Sequence, residues 1–278
     1  MITDQRVSDG RTKFGEHKAF LDKTSTQYGM PPEILVAIWG METNYGTILG
    51  HFPVLESLAT LGYQGRRTKF GRQQLLAALE ILESGDVTLE NFQGSWAGAM
   101  GQTQFIPTTF LGYAVDATGD GKRDIWTNSD DALGSTANYL KVSGWTRDVP
   151  WGVRVSVPNG FDYGQANLET KKSISEWQAL GVKGLGRSLD PSWGTAALYL
   201  PAGHSGPVYL ATVNFFAILR YNTAPAYALS AGLLSERIRG QKKHDISWPL
   251  EDRPLQPHEI KELQGLLKTA GYNIDLVD

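Results

Sequence analysis

Glu42 is the residue most suited to chemistry in this 278-residue sequence, because it ends an apolar run. Ile34-Leu35-Val36-Ala37-Ile38-Trp39-Gly40-Met41 precedes it and Thr43-Asn44-Tyr45-Gly46 follows. A segment that is apolar almost all round reads as a buried helix. Pro31-Pro32-Glu33 opens it, and both proline and an acid suit a first helical turn. Gly46 reads as the helix stop or a tight turn. A carboxyl at the inner end of such a helix loses hydration of its charged form, which raises its pKa. An acid still protonated near neutral pH can protonate a glycosidic oxygen. The same local pattern describes a structural glutamate that caps a loop or pairs with an arginine equally well.

Two further segments carry chemistry. Gly94-Ser95-Trp96-Ala97-Gly98-Ala99-Met100-Gly101-Gln102-Thr103-Gln104-Phe105-Ile106-Pro107 interleaves small residues with hydrogen-bonding and aromatic ones. Glycine permits close backbone approach, so the segment suits either a sugar cleft or a tightly packed turn between helices. Asp116-Ala117-Thr118-Gly119-Asp120-Gly121-Lys122-Arg123-Asp124 matches the opening of an EF-hand loop. Oxygen ligands stand at positions 1, 3 and 5 (Asp116, Thr118, Asp120), Gly121 at 6, and the Lys122 carbonyl at 7. Position 12 is Thr127 instead of the usual Glu, so Asp130 or Asp131 must close a longer loop if an ion binds. That ion would be Ca²⁺ or Na⁺ in a structural role. An acidic turn without an ion is the other reading.

Composition excludes several classes. There are no cysteines, which removes disulfides, zinc–thiolate sites, Fe–S clusters and thiol nucleophiles. His17, His51, His204, His244 and His258 are scattered without metal-ligand spacing. No G-x-S-x-G occurs, which argues against a serine esterase. With 26 Lys+Arg against 29 Asp+Glu, the net charge of −3 lacks the basic excess of a nucleic-acid binder. No apolar run spans a membrane, and the N-terminus lacks the apolar core of a signal peptide.

The elements that must position these residues are mostly helical. Residues 11–28, 31–42, 73–83 and 132–143 read as helices, with stops at Gly85 and Gly144. From Trp151 the pattern changes to period 2 at 152–157, and 196–200 and 208–213 are strand-like. Residues 214–220 and 227–239 return to helical patterns. Trp248-Pro249 and Asp252-Arg253-Pro254 read as a linker, and 257–270 as a short amphipathic helix. The expected fold is therefore α+β, mainly α. Its divisions are a helical core at 1–150 carrying the acidic loop at 116–131, a β-containing insert at 151–212, and helices at 213–240 that complete the core and cleft. The stretch 241–278 reads as a linker and the start of a truncated segment.

Taken together, Glu42-Thr43-Asn44-Tyr45-Gly46 and Ala97-Gly98-Ala99-Met100-Gly101-Gln102-Thr103-Gln104-Phe105-Ile106-Pro107 closely resemble the membrane-bound lytic transglycosylase B family of peptidoglycan-cleaving enzymes. The resemblance continues in order through Tyr113-Ala114-Val115-Asp116, Asp124-Ile125-Trp126, Ala137-Asn138-Tyr139-Leu140, Arg220-Tyr221-Asn222 and Tyr227-Ala228. Leu263-Gln264, Leu266-Leu267 and Gly271-Tyr272 resemble, more weakly, the opening of a peptidoglycan-binding module.

The resemblance implies a lysozyme-like core in which Glu42 is the single acid, then base. It implies non-hydrolytic cleavage of the MurNAc–GlcNAc bond, with the muramyl C6 hydroxyl attacking C1 to give a 1,6-anhydro end. An ordinary glycosidase needs two carboxyl groups. Residues 43–55 and 91–115 contain no Asp or Glu, which fits a nucleophile supplied by the substrate, although folding could bring a distant acid such as Asp162 near. A hydrolytic muramidase and a non-catalytic wall-binding protein are the alternatives.

By the same resemblance Ser95, Gln104, Phe105, Tyr139, Tyr221, Asn222 and Tyr227 line the cleft. Arg66 and Arg67 would meet peptide or lactyl carboxylates. The family's elongated EF-hand-like loop points to Asp131 as the closing ligand, with Asp130 the alternative. No cofactor for catalysis is implied. The implied partner is the peptidoglycan glycan strand, engaged by a monomer. Cell-wall synthases, or the outer membrane through a lipid anchor outside this chain, are further partners. The location is the periplasm, with the export signal absent from this chain.

Overall fold

A computed structural model describes residues 2–242, 248–249, 253 and 255–274. The chain opens with helices α1 (Asp4–Glu16), α2 (Lys18–Tyr28) and α3 (Pro32–Thr43). A two-residue strand β1 (Phe52–Pro53) leads into α4 (Val54–Tyr63) and α5 (Thr68–Ser84). Strand β2 (Gln93–Gly94), α6 (Pro107–Tyr113) and α7 (Ser129–Val142) complete the first part. Strands β3 (Gly152–Ser156) and β4 (Lys171–Ser173), helix α8 (Ile174–Ala179), then β5 (Lys183–Gly184), β6 (Thr195–Tyr199) and β7 (Val208–Ala211) follow. Helices α9 (Val213–Tyr221), α10 (Pro225–Ile238) and α11 (Pro257–Thr269) end the described chain.

Helix α3 is the centre of the molecule. Every residue from Ile34 to Gly40 is buried, so the helix must be covered on all sides. Helices α1, α2, α7 and α10 pack around it. Gly40 is the point of closest approach, since a Cβ there would stand 2.5 Å from the Tyr45 ring.

The five-stranded antiparallel sheet has the order β4-β6-β7-β3-β5. Alternation decides its two faces. Val208 and Leu210 of β7 join Leu198, Val153 and Trp177 in a core of the sheet's own, while Tyr209 and Ala211 face the cluster around α3. β7 is therefore buried on both faces, and it docks the sheet onto the helices.

Several elements depart from the sequence reading. The helix expected at 11–28 is two helices, because His17 leaves the helical region (φ −102°, ψ 14°) between them. The α3 stop is Asn44, not Gly46: Asn44, Tyr45 and Gly46 all have positive φ (49°, 61° and 79°). Helix α5 starts five residues earlier than expected. Thr212 ends β7 by capping α9, its hydroxyl accepting from the Asn214 N–H. Helix α4, the β1–β2 ribbon, β4, β5 and α8 carried no clear periodic signal because each is short or contains glycine or lysine at its ends. Of the expected linker, residues 250–252 and 254 lie outside the described residues, as does His244.

Candidate active site

The last turn of α3 presents Glu42, and the first turn of α10 presents Tyr227. Their side chains meet: the Tyr227 hydroxyl donates to Glu42 Oε1 at 2.6 Å. Burial pushes the Glu42 carboxyl up to about 7, and the Tyr227 hydroxyl pulls it the other way. Burial and the nearby Glu42 charge push the Tyr227 phenol well above its usual value, so it remains a donor. No cation and no second carboxylate pairs with Glu42 among the described residues. Asp162 caps its own short turn, with Oδ1 accepting from the Gly164 N–H at 3.0 Å.

A ladder of aromatic rings runs away from this pair. Tyr221 lies parallel to Tyr227, with centroids 6.4 Å apart and planes 7° apart. Its hydroxyl donates to the Thr103 carbonyl at 2.5 Å. Tyr139 sits edge-on to Tyr221 at 5.0 Å and donates to the Arg220 carbonyl at 2.6 Å. Phe105 packs against both rings at 5.8 and 5.7 Å. Phe105 is buried, so it supports the two tyrosines from behind.

The glycine-rich segment is a pair of tight turns. Met100 and Phe105 exchange backbone hydrogen bonds at 2.8 and 3.1 Å, which closes the turn 100–105. Gly101 has φ +62°, and a Cβ there would stand 2.7 Å from the Ile125 carbonyl, so only glycine fits. Ser95 Oγ accepts from the Ala99 N–H at 3.0 Å and keeps its own proton to donate. The Gln104 amide donates to Leu49 and Gly101 carbonyls at 3.2 and 3.0 Å, so its carbonyl oxygen is the atom left to meet a ligand. Asn222 Oδ1 accepts from the Ala224 N–H, leaving the amide NH₂.

Glu42, Tyr227, Tyr221, Tyr139 and Phe105 are thus one connected group. Gln104, Phe105, Tyr139, Tyr221 and Arg220 line a cavity of about 230 Å³ beside it. Arg66 and Arg67 are not in this group. They are exposed in the turn between α4 and α5, and Arg67 lies against Phe70. Sequence reasoning missed Arg220, which lines the cavity, because it reads as an ordinary cation in the last turn of α9. It also missed Gln102, a buried amide flanked by small residues.

The acidic loop gathers Asp116, Asp120 and Asp131, whose carboxylate oxygens lie within 4.8 Å of one another. Asp116 gathers the N–H groups of Gly119, Asp120 and Gly121 at 2.6, 3.2 and 2.8 Å. Asp131, fully buried, accepts from the Ala117, Thr118 and Asp124 N–H groups. Asp130 does not join them, since it pairs with His17 Nδ1 at 2.8 Å. Thr118 Oγ1 reaches Asp131 Oδ1 at 3.3 Å, whereas the Lys122 side chain is exposed and only its backbone could serve. An all-oxygen set with a buried carboxylate that has no cationic side-chain partner among the described residues fits a hard cation.

Residues 1–236 match the model of the transglycosylase SLT domain. The chain belongs to that transglycosylase family. It is 34% identical over 246 residues to membrane-bound lytic murein transglycosylase B of Escherichia coli, covering 85% of this chain. It spans 65% of that relative's length. The crystal structure of SltB3 from Pseudomonas aeruginosa in complex with NAG-anhNAM-pentapeptide is 50% identical, with a TM-score of 0.94 over 99% of this chain and 74% of that one. The E. coli lytic transglycosylase Slt35 in complex with calcium is 33% identical, with a TM-score of 0.75 over 86% of this chain and 75% of that one. The fold of this transglycosylase chain is accordingly mainly helical and lysozyme-like, with a small sheet.

The raised Glu42 pKa has a consequence for stability with a definite sign. Between about 4.5 and about 7 the unfolded Glu42 is ionised while the folded one stays protonated. The unfolded state then binds fewer protons, so stability falls as pH rises. This contribution is fully present below about 4.5 and lost as pH climbs through about 7. Glu42→Gln is nearly isosteric and stays neutral. Its melting temperature, compared with wild type by scanning calorimetry, should gain on wild type across that window and hold the gain above it. A difference that is flat in pH would mean that Glu42 titrates normally.

Proposed function

We propose that the protein cleaves the β-1,4 bond between MurNAc and GlcNAc in peptidoglycan without water, leaving 1,6-anhydro-MurNAc ends. The observation that carries this reading is Glu42: one carboxyl, pushed up to about 7, with a phenol and, among the described residues, no second carboxylate beside it. The complex of SltB3 with NAG-anhNAM-pentapeptide, a fragment with an anhydro end, supports it at 50% identity.

In this mechanism protonated Glu42 gives its proton to the bridging oxygen as the C1–O bond breaks, and GlcNAc leaves with a free 4-hydroxyl. The Glu42 carboxylate then takes the proton of the muramyl C6 hydroxyl as that oxygen bonds to C1. Glu42 ends protonated, as it began, and no water is consumed. An intramolecular hydroxyl held near C1 has effective molarities up to about 10⁵–10⁸ M in well-oriented cases, enough to outrun bulk water. Tyr227 holds the carboxyl in place. Ser95 donates and Gln104 accepts hydrogen bonds from N-acetyl and hydroxyl groups, Asn222 donates from its amide, and Tyr221 and Tyr139 offer ring edges and faces to sugars. Arg66 and Arg67, both exposed, would meet peptide or lactyl carboxylates outside the cavity that Arg220 lines.

Asp116, Asp120 and Asp131, with the Lys122 carbonyl and Thr118, would hold a structural Ca²⁺ or Na⁺; the Slt35–calcium complex supports this. The cation would neutralise the clustered carboxylates and order the loop, with no part in the bond-breaking steps. We read residues 1–150 and 213–240 as the catalytic body, 151–212 as the insert, and 241–278 as a linker and the start of a wall-binding-like segment. The protein acts as a monomer in the periplasm, where the substrate is.

Digestion of purified sacculi in H₂¹⁸O should give unlabelled anhydro-muropeptides, seen by mass spectrometry. Glu42→Gln should lower their release by at least about 10²–10⁴-fold. Predominant ¹⁸O at muramyl C1 would show a hydrolase instead. Calcium should raise the melting temperature, since binding to the native state alone contributes about 2.7 kcal/mol at a hundredfold excess over Kd. Asp120→Ala, at an exposed position, should abolish that rise. Equal melting curves with calcium and with EDTA would leave the loop an ion-free acidic turn.

A further inference from the structure

The acidic loop and the Glu42 turn are joined through one residue, whose side chain meets the loop and whose backbone carbonyl meets the turn. Gln102 is buried between them, and each of its polar groups has a partner. Its backbone N–H donates to the Ile125 carbonyl at 2.8 Å. Its amide nitrogen donates to the Trp126 carbonyl at 3.2 Å, and Oε1 accepts from the Ser129 hydroxyl at 3.1 Å. Ile125, Trp126 and Ser129 all lie between Asp124 and Asp131, in the closing half of the loop, and Asp131 itself holds the Asp124 N–H at 3.0 Å.

On its other side Gln102 meets the turn that follows α3. Its backbone carbonyl accepts from the Thr43 hydroxyl at 3.0 Å, and the same hydroxyl accepts from the Gly46 N–H at 3.0 Å. Gly46 is packed directly over the amide: a Cβ there would stand 2.6 Å from Gln102 Oε1. The turn contains three consecutive residues of positive φ, two of them not glycine. Such a backbone costs energy and persists only where its surroundings hold it. Thr43 is the next residue after Glu42, so whatever anchors Thr43 also fixes where the acid points.

We propose that Gln102 is a positioning residue that couples the order of the acidic loop to the turn holding Glu42. A loosened loop frees the Ile125, Trp126 and Ser129 partners. Gln102 then loses its anchor, and the Thr43–Gly46 turn loses its backing. The link to catalysis rests on the reading of Glu42 as the acid, whereas the coupling between loop and turn does not.

A double-mutant cycle read by amide hydrogen exchange tests it, with calcium present throughout. The probes are the Gly46 and Ile48 amides, which bond to Thr43 Oγ1 and to the Thr43 carbonyl. Asp131→Asn should lower their protection about tenfold in the otherwise native chain and less than about twofold in a Gln102→Met background. An equal factor in both backgrounds, including no change in either, overturns the coupling. Should Gln102→Met fail to fold, Ser129→Ala replaces it, removing only the bond to Oε1, and the factor should again shrink. On sacculi, Gln102→Met should lower kcat with KM little changed. A wild type without activity on sacculi would overturn the proposed reaction and leave the exchange result standing.

Discussion

The hydrogen bond from Tyr227 to Glu42 joins residues 185 positions apart in the chain, and the two helices that carry them form the centre of the molecule. Its chemistry is a balance between opposing effects. Burial disfavours the carboxylate and raises the pKa; the phenol favours the carboxylate and lowers it. Burial is the larger effect, so the carboxyl stays an acid near neutral pH. The phenol keeps it close enough to neutrality to act next as a base. A cation in place of Tyr227 would tip the group to a permanent carboxylate, and an apolar side chain would leave it a weaker acid, slower to give up its proton.

That balance requires rigid neighbours, and the structure supplies them mostly through backbone carbonyls. The hydroxyls of Tyr45, Tyr139 and Tyr221 donate to the carbonyls of Arg6, Arg220 and Thr103. Each bond fixes a ring by one end and leaves the apolar body free to pack. Glycine does the complementary work where backbones must touch, as at Gly40 beneath the Tyr45 ring and Gly101 against Ile125. The sheet contributes by weight of packing, with β7 buried on both faces and seated against the cluster that covers α3.

Much of this was legible in the sequence, and the reasons are physical. An all-apolar run ending in Glu42 has few alternatives to a buried helix, and period-2 alternation at Val153 and Val155 exposes the sheet. The oxygen-rich spacing from Asp116 to Asp120 announces its loop because the ligand geometry is local. What stayed hidden was non-local or relied on backbone conformation. Nothing near Tyr227 says that its hydroxyl reaches Glu42, and nothing near Asp130 says that His17 takes it from the loop. Asn44 ends α3 in place of Gly46 because its side chain tolerates the left-handed region, a preference that an adjacent glycine masks. Arg66 and Arg67 read as a pair and lie exposed between α4 and α5, whereas the cavity is lined by Arg220, whose place there no local pattern announces.

The central claim is that one buried carboxyl, tuned by one phenol, is the acid. Its titration can be followed directly by NMR of the ¹³C-labelled Glu42 carboxyl in wild type and in Tyr227→Phe. A wild-type pKa of about 7 is predicted, with a higher value in Tyr227→Phe, since the bond that favours the carboxylate is gone. A wild-type value near the ordinary 4.5, or no change on removing the hydroxyl, would contradict the account.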